Sequence, residues 1–142
     1  MSKIQLFENT SEIGAGTRGS SLGVEALKIA ALNSNSKFFK KFNCSTILNN
    51  NDLLNDTPKF PKAKRIEGII EVCGDLSNNV SKTIKKNQFP FILSGDHSSA
   101  VGTIAGIKAA NPSSRLGVIW IDAHADLHSP FTTPSGNVHG MS

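Results

Sequence analysis

The sequence contains little cysteine and no long apolar run. These two absences argue against a disulfide-stabilised protein, a cysteine zinc protein and a membrane-spanning protein. Cys44 and Cys73 are the two cysteines among 142 residues and form no C-x-x-C pair, so neither a disulfide framework nor a cysteine zinc site is expected. We predict two reduced and mostly buried thiols. No apolar stretch approaches the roughly 20 residues that a membrane-spanning helix needs. Residues 1–8 also lack the apolar core of a secretion signal, so we expect a cytoplasmic protein without membrane contacts.

Charged residues are sparse, at 18% of the chain, and their formal net charge is +4. The lysines are scattered or paired, as in Lys40-Lys41, without interleaved aromatic residues. This arrangement favours solvated helix and loop faces over a nucleic-acid surface, and no nucleic-acid partner is expected. Histidine is distributed differently, since all four lie within residues 97–142. We therefore expect the functional residues of the chain to lie within residues 97–142.

The length suits a single domain spanning residues 1–142, and the apolar patterns predict its class. Two runs, 89–93 and 116–121, are apolar without alternation, which is typical of parallel strands buried on both faces. A helix predicted between them completes a βαβ unit, so we predict an α/β fold with helices flanking a mostly parallel sheet. The other predicted elements are strands at 3–7 and 45–48 and helices at 24–32, 63–86 and 98–110.

The longest predicted helix is amphipathic. Its apolar stripe repeats at three- and four-residue intervals and comprises Ile66, Ile69, Ile70, Cys73, Leu76, Val80 and Ile84.

Polar side chains follow both apolar runs. Because ligands of open α/β sheets bind at the carboxyl ends of the strands, we expect the two clusters to meet at one edge. In an extended chain Asp122, His124 and Asp126 point to the same side, and a divalent cation would relieve the repulsion between the carboxylates. Carboxylate and imidazole ligands without thiolate favour a cation such as Mn²⁺. The simpler alternative is a strand end with a capping aspartate and an exposed histidine.

His97 follows the neighbouring run and is a candidate fourth ligand, although an ordinary loop histidine is the alternative. Ser98 is expected to be the N-cap of the next helix. A third segment, 135–140, is predicted to be a loop that holds a small polar ligand. His139 in this loop has the chemistry to transfer protons near neutral pH, and an exposed turn is the alternative.

These three segments resemble the signatures of the ureohydrolases, and of the arginase family in particular. The resemblance rests on the following stretches: Ser94-Gly95-Asp96-His97-Ser98, Asp122-Ala123-His124-Ala125-Asp126, Ser135-Gly136-Asn137-Val138-His139-Gly140, and the glycine-rich loop at 14–23. It implies a three-layer αβα sandwich, a centre of two Mn²⁺ ions, and hydrolysis of L-arginine to L-ornithine and urea by a metal-bridging hydroxide. A homo-oligomer is compatible with the sequence.

The resemblance also implies roles for single residues. His97 and His124 would each bind one metal ion, Asp122 would bridge the two, and Asp126 would bind the first and accept a hydrogen bond from the hydroxide. His139 matches the proton-shuttle histidine. The residues matching the family's contacts to the substrate α-carboxylate are Ser135, Asn137, Thr133 and His128, of which His128 replaces the usual asparagine.

Family members are considerably longer, and their second half supplies an Asp-x-Asp pair that completes both metal sites. We therefore expect a truncated domain that is incomplete at its C-terminus. Without the second-half ligands, this chain by itself is expected to have impaired activity. The alternatives are another guanidino hydrolase, such as an agmatinase or formiminoglutamase, and a non-catalytic metal-binding fragment.

Overall fold

The computed structural model describes residues 3–142. Within this part of the chain, three strands form one parallel sheet in the order β2-β1-β3. They are β1 (Lys3–Asn9), β2 (Cys44–Thr46) and β3 (Gln88–Ser94). β3 pairs with β1 over the full length of both strands, from Lys3 opposite Gln88 to Asn9 opposite Ser94. The prediction of an α/β fold with a mostly parallel sheet is confirmed.

Four α-helices connect and flank these strands within residues 3–142. They are α1 (Leu22–Asn33), α2 (Phe38–Lys41), α3 (Ile66–Lys85) and α4 (Ser99–Ala110), with short 3₁₀ helices at Asn51–Asn55 and Val138–Met141. The three longer helices begin and end within three residues of the predicted bounds. No helix in the described residues is long and apolar enough to cross a membrane.

The core lies against the central strand β1. Leu6 and Phe7 are both buried, and because successive side chains of a strand point to opposite faces, the sheet is covered on both. On one face Phe7 packs in a cluster with the buried stripe of α3, which includes Leu76 and Val80. Ile70, assigned to that stripe from the sequence, is instead 63% exposed, because Ile69 and Val72 supply the buried positions of its turn.

The strand predicted at 116–121 is not formed. These residues adopt no regular secondary structure, and Ile119 and Ile121 are 89% and 93% exposed. A strand requires a hydrogen-bonded neighbour, and β3 ends the described sheet on this side without pairing to the segment. The run has the composition of a buried parallel strand but lacks, among the described residues, the cover such a strand needs.

The cysteines are free, as predicted, but the prediction that both are mostly buried is wrong. Cys44 is exposed because it lies on the short edge strand β2, and Cys73 is half-buried. The Cys44 thiol lies 2.9 Å from Glu8 Oε1. Although the residue is exposed, neighbouring atoms exclude part of the water from its thiol, and this desolvation together with the Glu8 carboxylate raises the pKa of Cys44 to about 12. The thiol therefore stays protonated at neutral pH.

Candidate metal centre

Three of the four predicted ligands meet beyond the carboxyl end of β3. His97 lies in the turn between β3 and α4, and Asp122 and Asp126 lie in the irregular segment after residue 121. His97 Nδ1 is 2.8 Å from Asp122 Oδ2 and 2.9 Å from Asp126 Oδ2. Ligand atoms of the three side chains all lie within 4.8 Å of one another, close enough to share one ion.

The bonding of Asp126 fits a cation at this point. Its Oδ2 atom is buried and, apart from the 2.9 Å contact with His97 Nδ1, which lacks the geometry of a hydrogen bond, it has no polar partner among residues 3–142. Burying a carboxylate oxygen without a hydrogen bond is costly. The backbone of Asp126 has φ 50°, a left-handed conformation that is uncommon outside glycine. Such local strain persists where the surroundings hold a side chain in one direction. With one imidazole and two carboxylates, the cluster offers a borderline-to-hard metal a suitable partial ligand set.

Asp122 is held as a carboxylate between the cluster and His124, the remaining predicted ligand. The backbone N–H of His124 donates to Asp122 Oδ1 at 2.7 Å, and this bond is the main reason that the pKa of Asp122 is lowered. The ring of His124 is 84% exposed and outside the cluster, with Nδ1 3.4 Å from Asp122 Oδ1. Asp122 therefore contacts both histidines through its two oxygens.

Trp120 forms one wall of the cluster. Its ring stacks on His97 with centroids 4.6 Å apart and planes 11° from parallel. Stacking restricts the rotation of the imidazole, so Trp120 helps to fix the direction in which His97 presents Nδ1. Trp120 is the single tryptophan of the chain. The sequence gives no local sign of this contact, because the two residues are 23 positions apart.

The predicted substrate residues line one cavity of about 500 Å³, which Asp126 and His124 also border. Thr133 is buried and its Oγ1 accepts the N–H of Gly136 at 2.9 Å. Ser135 Oγ accepts the N–H of Asn137 at 3.2 Å. The structure thus brings Thr133, Ser135, Asn137, His128 and His139 to the same side of the metal cluster.

His139 is tied to the glycine-rich loop that follows β1. Its ring Nδ1 lies 3.0 Å from the carbonyl oxygen of Gly14, which also accepts the backbone N–H of His139 at 3.2 Å. Asn137 Nδ2 donates to the carbonyl of Ala15 at 2.8 Å. The segment 135–140, predicted as a loop, ends in the 3₁₀ helix Val138–Met141.

Asp96 and Ser98 form a hydrogen-bonded pair that the sequence pattern does not predict. Ser98 stands at the N-cap of α4, as predicted, but its side chain makes no capping hydrogen bond. Its hydroxyl instead donates to Asp96 Oδ1, as does its backbone N–H at 2.9 Å. Asp96 is buried, which is rare for an aspartate without partners, but its bonds to Gly14 and Ala15 are distant in sequence and leave no local signal.

The chain matches a known protein family over nearly its whole length. The family model described as the arginase family matches residues 4–142. The chain is 35% identical over 133 residues to an arginase of Bacillus subtilis, covering 92% of this chain and 43% of that protein. It is 42% identical over 80 residues to an arginase of Bacillus caldovelox, covering 56% of this chain and 26% of that protein.

A solved structure extends the likeness to three dimensions. The arginase of Entamoeba histolytica, solved in complex with L-ornithine, superposes with a TM-score of 0.83 at 30% identity, covering 99% of this chain and 47% of that one. The chain therefore spans between a quarter and a half of the length of these relatives.

Proposed function

Because the chain belongs to the arginase family, we propose that it carries part of a metal-dependent site for hydrolysis of L-arginine to L-ornithine and urea. The observation that carries the proposal is the cluster of His97, Asp122 and Asp126, in which the buried Asp126 Oδ2 accepts no hydrogen bond from residues 3–142. Asp126 also borders the cavity that the predicted substrate residues line. The relative with L-ornithine bound supports an amino acid as the ligand of such a site.

Mn²⁺ is the proposed metal, since carboxylate and imidazole ligands without thiolate suit it. His97, Asp122 and Asp126 would hold the first ion, and His124 with Asp122 would contribute to the second. The contact of Asp122 with both histidines supports its bridging role. When bound, a divalent cation polarises the substrate and lowers the pKa of a water, which supplies a nucleophile at neutral pH.

The protein groups around the metal would position the substrate and move a proton. Asp126 Oδ2, which accepts no hydrogen bond from residues 3–142, would accept one from the attacking water. His139 would give a proton to the ornithine nitrogen as its bond to the guanidinium carbon breaks. Ser135 and Asn137 would bind the α-carboxylate, with Thr133 and His128 beside them in the cavity.

One observation favours a second candidate, another guanidino hydrolase. His128 borders the cavity and stands where the arginase resemblance predicts an asparagine. Its ring Nδ1 lies 3.4 Å from Thr132 Oγ1. A histidine still donates a hydrogen bond to a carboxylate, but its charge depends on pH, unlike that of an amide. A substrate without an α-carboxylate, such as agmatine, is therefore the comparison to make.

We further propose that the 142-residue chain alone binds metal weakly and turns over slowly. Among residues 3–142, the cluster groups three ligand side chains, and the ring of His124 is directed to solvent. Hard cations take about six ligands, so water would occupy several positions around each ion. The Asp-x-Asp pair that the family resemblance implies is not among these residues, and without its negative charges the site attracts a cation less strongly.

Metal binding is tested first, through the fluorescence of Trp120. Paramagnetic Mn²⁺ held by His97 should quench this single tryptophan, which stacks on the imidazole, in a saturable way. Asp126→Asn should weaken the binding at least tenfold. The matched control Asp56→Asn changes an exposed carboxylate on another surface and should bind as the wild type does. Equal binding by both variants would place the metal elsewhere.

Turnover is tested second, by urea release from L-arginine and from agmatine with added Mn²⁺. Slow release from L-arginine that disappears in Asp126→Asn supports the proposal. Preference for agmatine would support the second candidate. Saturable Mn²⁺ binding without urea release from either substrate would identify a non-catalytic metal-binding chain and refute the hydrolase proposal for this chain.

A further inference from the structure

Asp96 joins the turn after β3 to the glycine-rich loop after β1. Its carboxylate is buried and accepts four hydrogen bonds. Oδ2 accepts the backbone N–H groups of Gly14 at 2.8 Å and Ala15 at 3.3 Å. Oδ1 accepts the backbone N–H and the hydroxyl of Ser98, in the turn that carries His97. One side chain therefore sets the distance between the loop and the turn.

The approach of the loop to Asp96 is close enough to require glycine. A Cβ atom on Gly14 would lie 2.5 Å from Ser98 Oγ and 2.6 Å from Asp96 Oδ1. These two atoms are hydrogen-bonded to each other, and neither can move away without breaking that hydrogen bond. The carbonyl of Gly14 and the N–H of Ala15 belong to the same planar peptide unit, so the hydrogen bond from Ala15 to Asp96 Oδ2 fixes the direction of that carbonyl. The bond from the Gly14 N–H holds the preceding peptide unit against the same oxygen.

That carbonyl determines the proton position on His139. A carbonyl oxygen only accepts hydrogen bonds, so the 3.0 Å contact requires the proton of the neutral ring on Nδ1. The other ring nitrogen, Nε2, is then the basic one. Groups that fix the tautomer of a functional histidine in this way are a recurring feature of catalytic and metal sites.

We propose that Asp96 is a positioning residue: through the peptide unit between Gly14 and Ala15 it orients the ring of His139, keeps the proton on Nδ1, and leaves Nε2 as the atom that exchanges a proton with substrate. The exchange itself rests on the function proposed above, whereas the tautomer is a property of the free protein. His97 and His139 are linked to the same carboxylate, so the metal cluster and the proton donor keep a fixed relation. Ser142 Oγ adds a second link, to the carbonyls of His97 and His139.

The test is the ¹⁵N NMR spectrum of the histidine rings in the labelled 142-residue chain. It is recorded without Mn²⁺ at about pH 8.5, where a histidine of ordinary pKa is neutral. We expect His139 in the wild type to show the pattern of the Nδ1–H tautomer. In Asp96→Asn, the amide cannot accept from both the loop and the turn, and the majority should become Nε2–H, the form preferred by free histidine. Asp56→Asn should keep the wild-type pattern.

Ser98→Ala separates the loop path from the turn. It removes the hydroxyl bond to Oδ1 but leaves both bonds of Oδ2 to the loop, so the Nδ1–H tautomer should persist. If Asp96→Asn does not fold, Asp96→Glu displaces the carboxylate by one methylene and should cause the same change.

Three results would overturn the proposal: an Nε2–H tautomer in the wild type, an unchanged tautomer in a folded Asp96 variant, or a changed tautomer in Ser98→Ala. None of them depends on urea release. A chain without turnover that shows the expected tautomers would refute the proposed hydrolysis and leave the role of Asp96 in place.

Discussion

Glu12 shows how one buried carboxylate organises a loop of small residues. It is 1% exposed, and its Oε1 accepts the backbone N–H groups of Gly19 and Ser21, each at 2.7 Å. Burial raises the pKa of Glu12, but the hydrogen bonds from Ser21 and Gly19 outweigh burial, and the pKa is lowered. A carboxyl whose pKa is lower when folded stabilises the protein above its ordinary pKa, and this contribution is lost as the pH falls below that value.

We therefore predict that Glu12→Gln lowers the free energy of unfolding by about 1–3 kcal/mol at neutral pH. The loss of stability on acidification below the ordinary value of 4.5 should become shallower in the variant. Urea denaturation at neutral pH and at about pH 4 measures both effects. Glu25→Gln, on the exposed face of α1, is the control, and an equal change in both variants would contradict the role of Glu12.

Gly14 and Gly74 differ in the space that each leaves for an added side chain. Gly14→Ala introduces a methyl group within 2.6 Å of two polar atoms, so we expect a loss of about 1–3 kcal/mol in unfolding free energy. A Cβ placed on Gly74, inside α3, meets no atom of residues 3–142 within 4 Å apart from the adjacent residues and the backbone of its own helix, so Gly74→Ala should stabilise by about 0.5–1 kcal/mol. Thermal unfolding of the two variants should shift in opposite directions, and a shift in the same direction would refute this account.

At the scale of elements, α3 carries the core. Leu76 is fully buried against the sheet, whereas Ile70 on the same helix faces solvent. We predict that Leu76→Ala costs about 2–5 kcal/mol and that Ile70→Ala changes stability by no more than about 0.5 kcal/mol. Chemical denaturation measures both. Comparable losses would mean that Ile70 is buried in solution, for example against a second copy of the chain.

The elements also show what the sequence can predict and why. The apolar period of α3 and the run that forms β3 are local signals, and both elements were predicted close to their bounds. The run at 116–121 carries the same kind of signal, but an apolar run specifies burial without specifying a partner, and its strand is not formed. The hydrogen bonds of Asp96 could not be predicted, because they reach Gly14, 82 positions away, where no local pattern extends.

At the scale of the whole molecule, the exposed apolar segment 116–121 lies beside a sheet edge. Exposed apolar side chains on a segment that pairs with no strand among residues 3–142 promote association. We predict concentration-dependent oligomers of the chain, and Ile119→Lys should reduce them. Sedimentation velocity measures the distribution. The control Ile29→Lys changes an exposed side chain on α1, whose backbone is already bonded, and should change the distribution less.

The bond between His139 and the carbonyl of Gly14 has a consequence for the order of folding. It joins residues 125 positions apart, and the link from Asp96 to Gly14 joins residues 82 positions apart. During synthesis the helices can form early from local contacts, whereas His139 reaches its position only after nearly all of these residues have left the ribosome. Because closing such long loops is slow, the site is expected to mature last. An ordered His139 is therefore a sensitive indicator that the chain has finished folding.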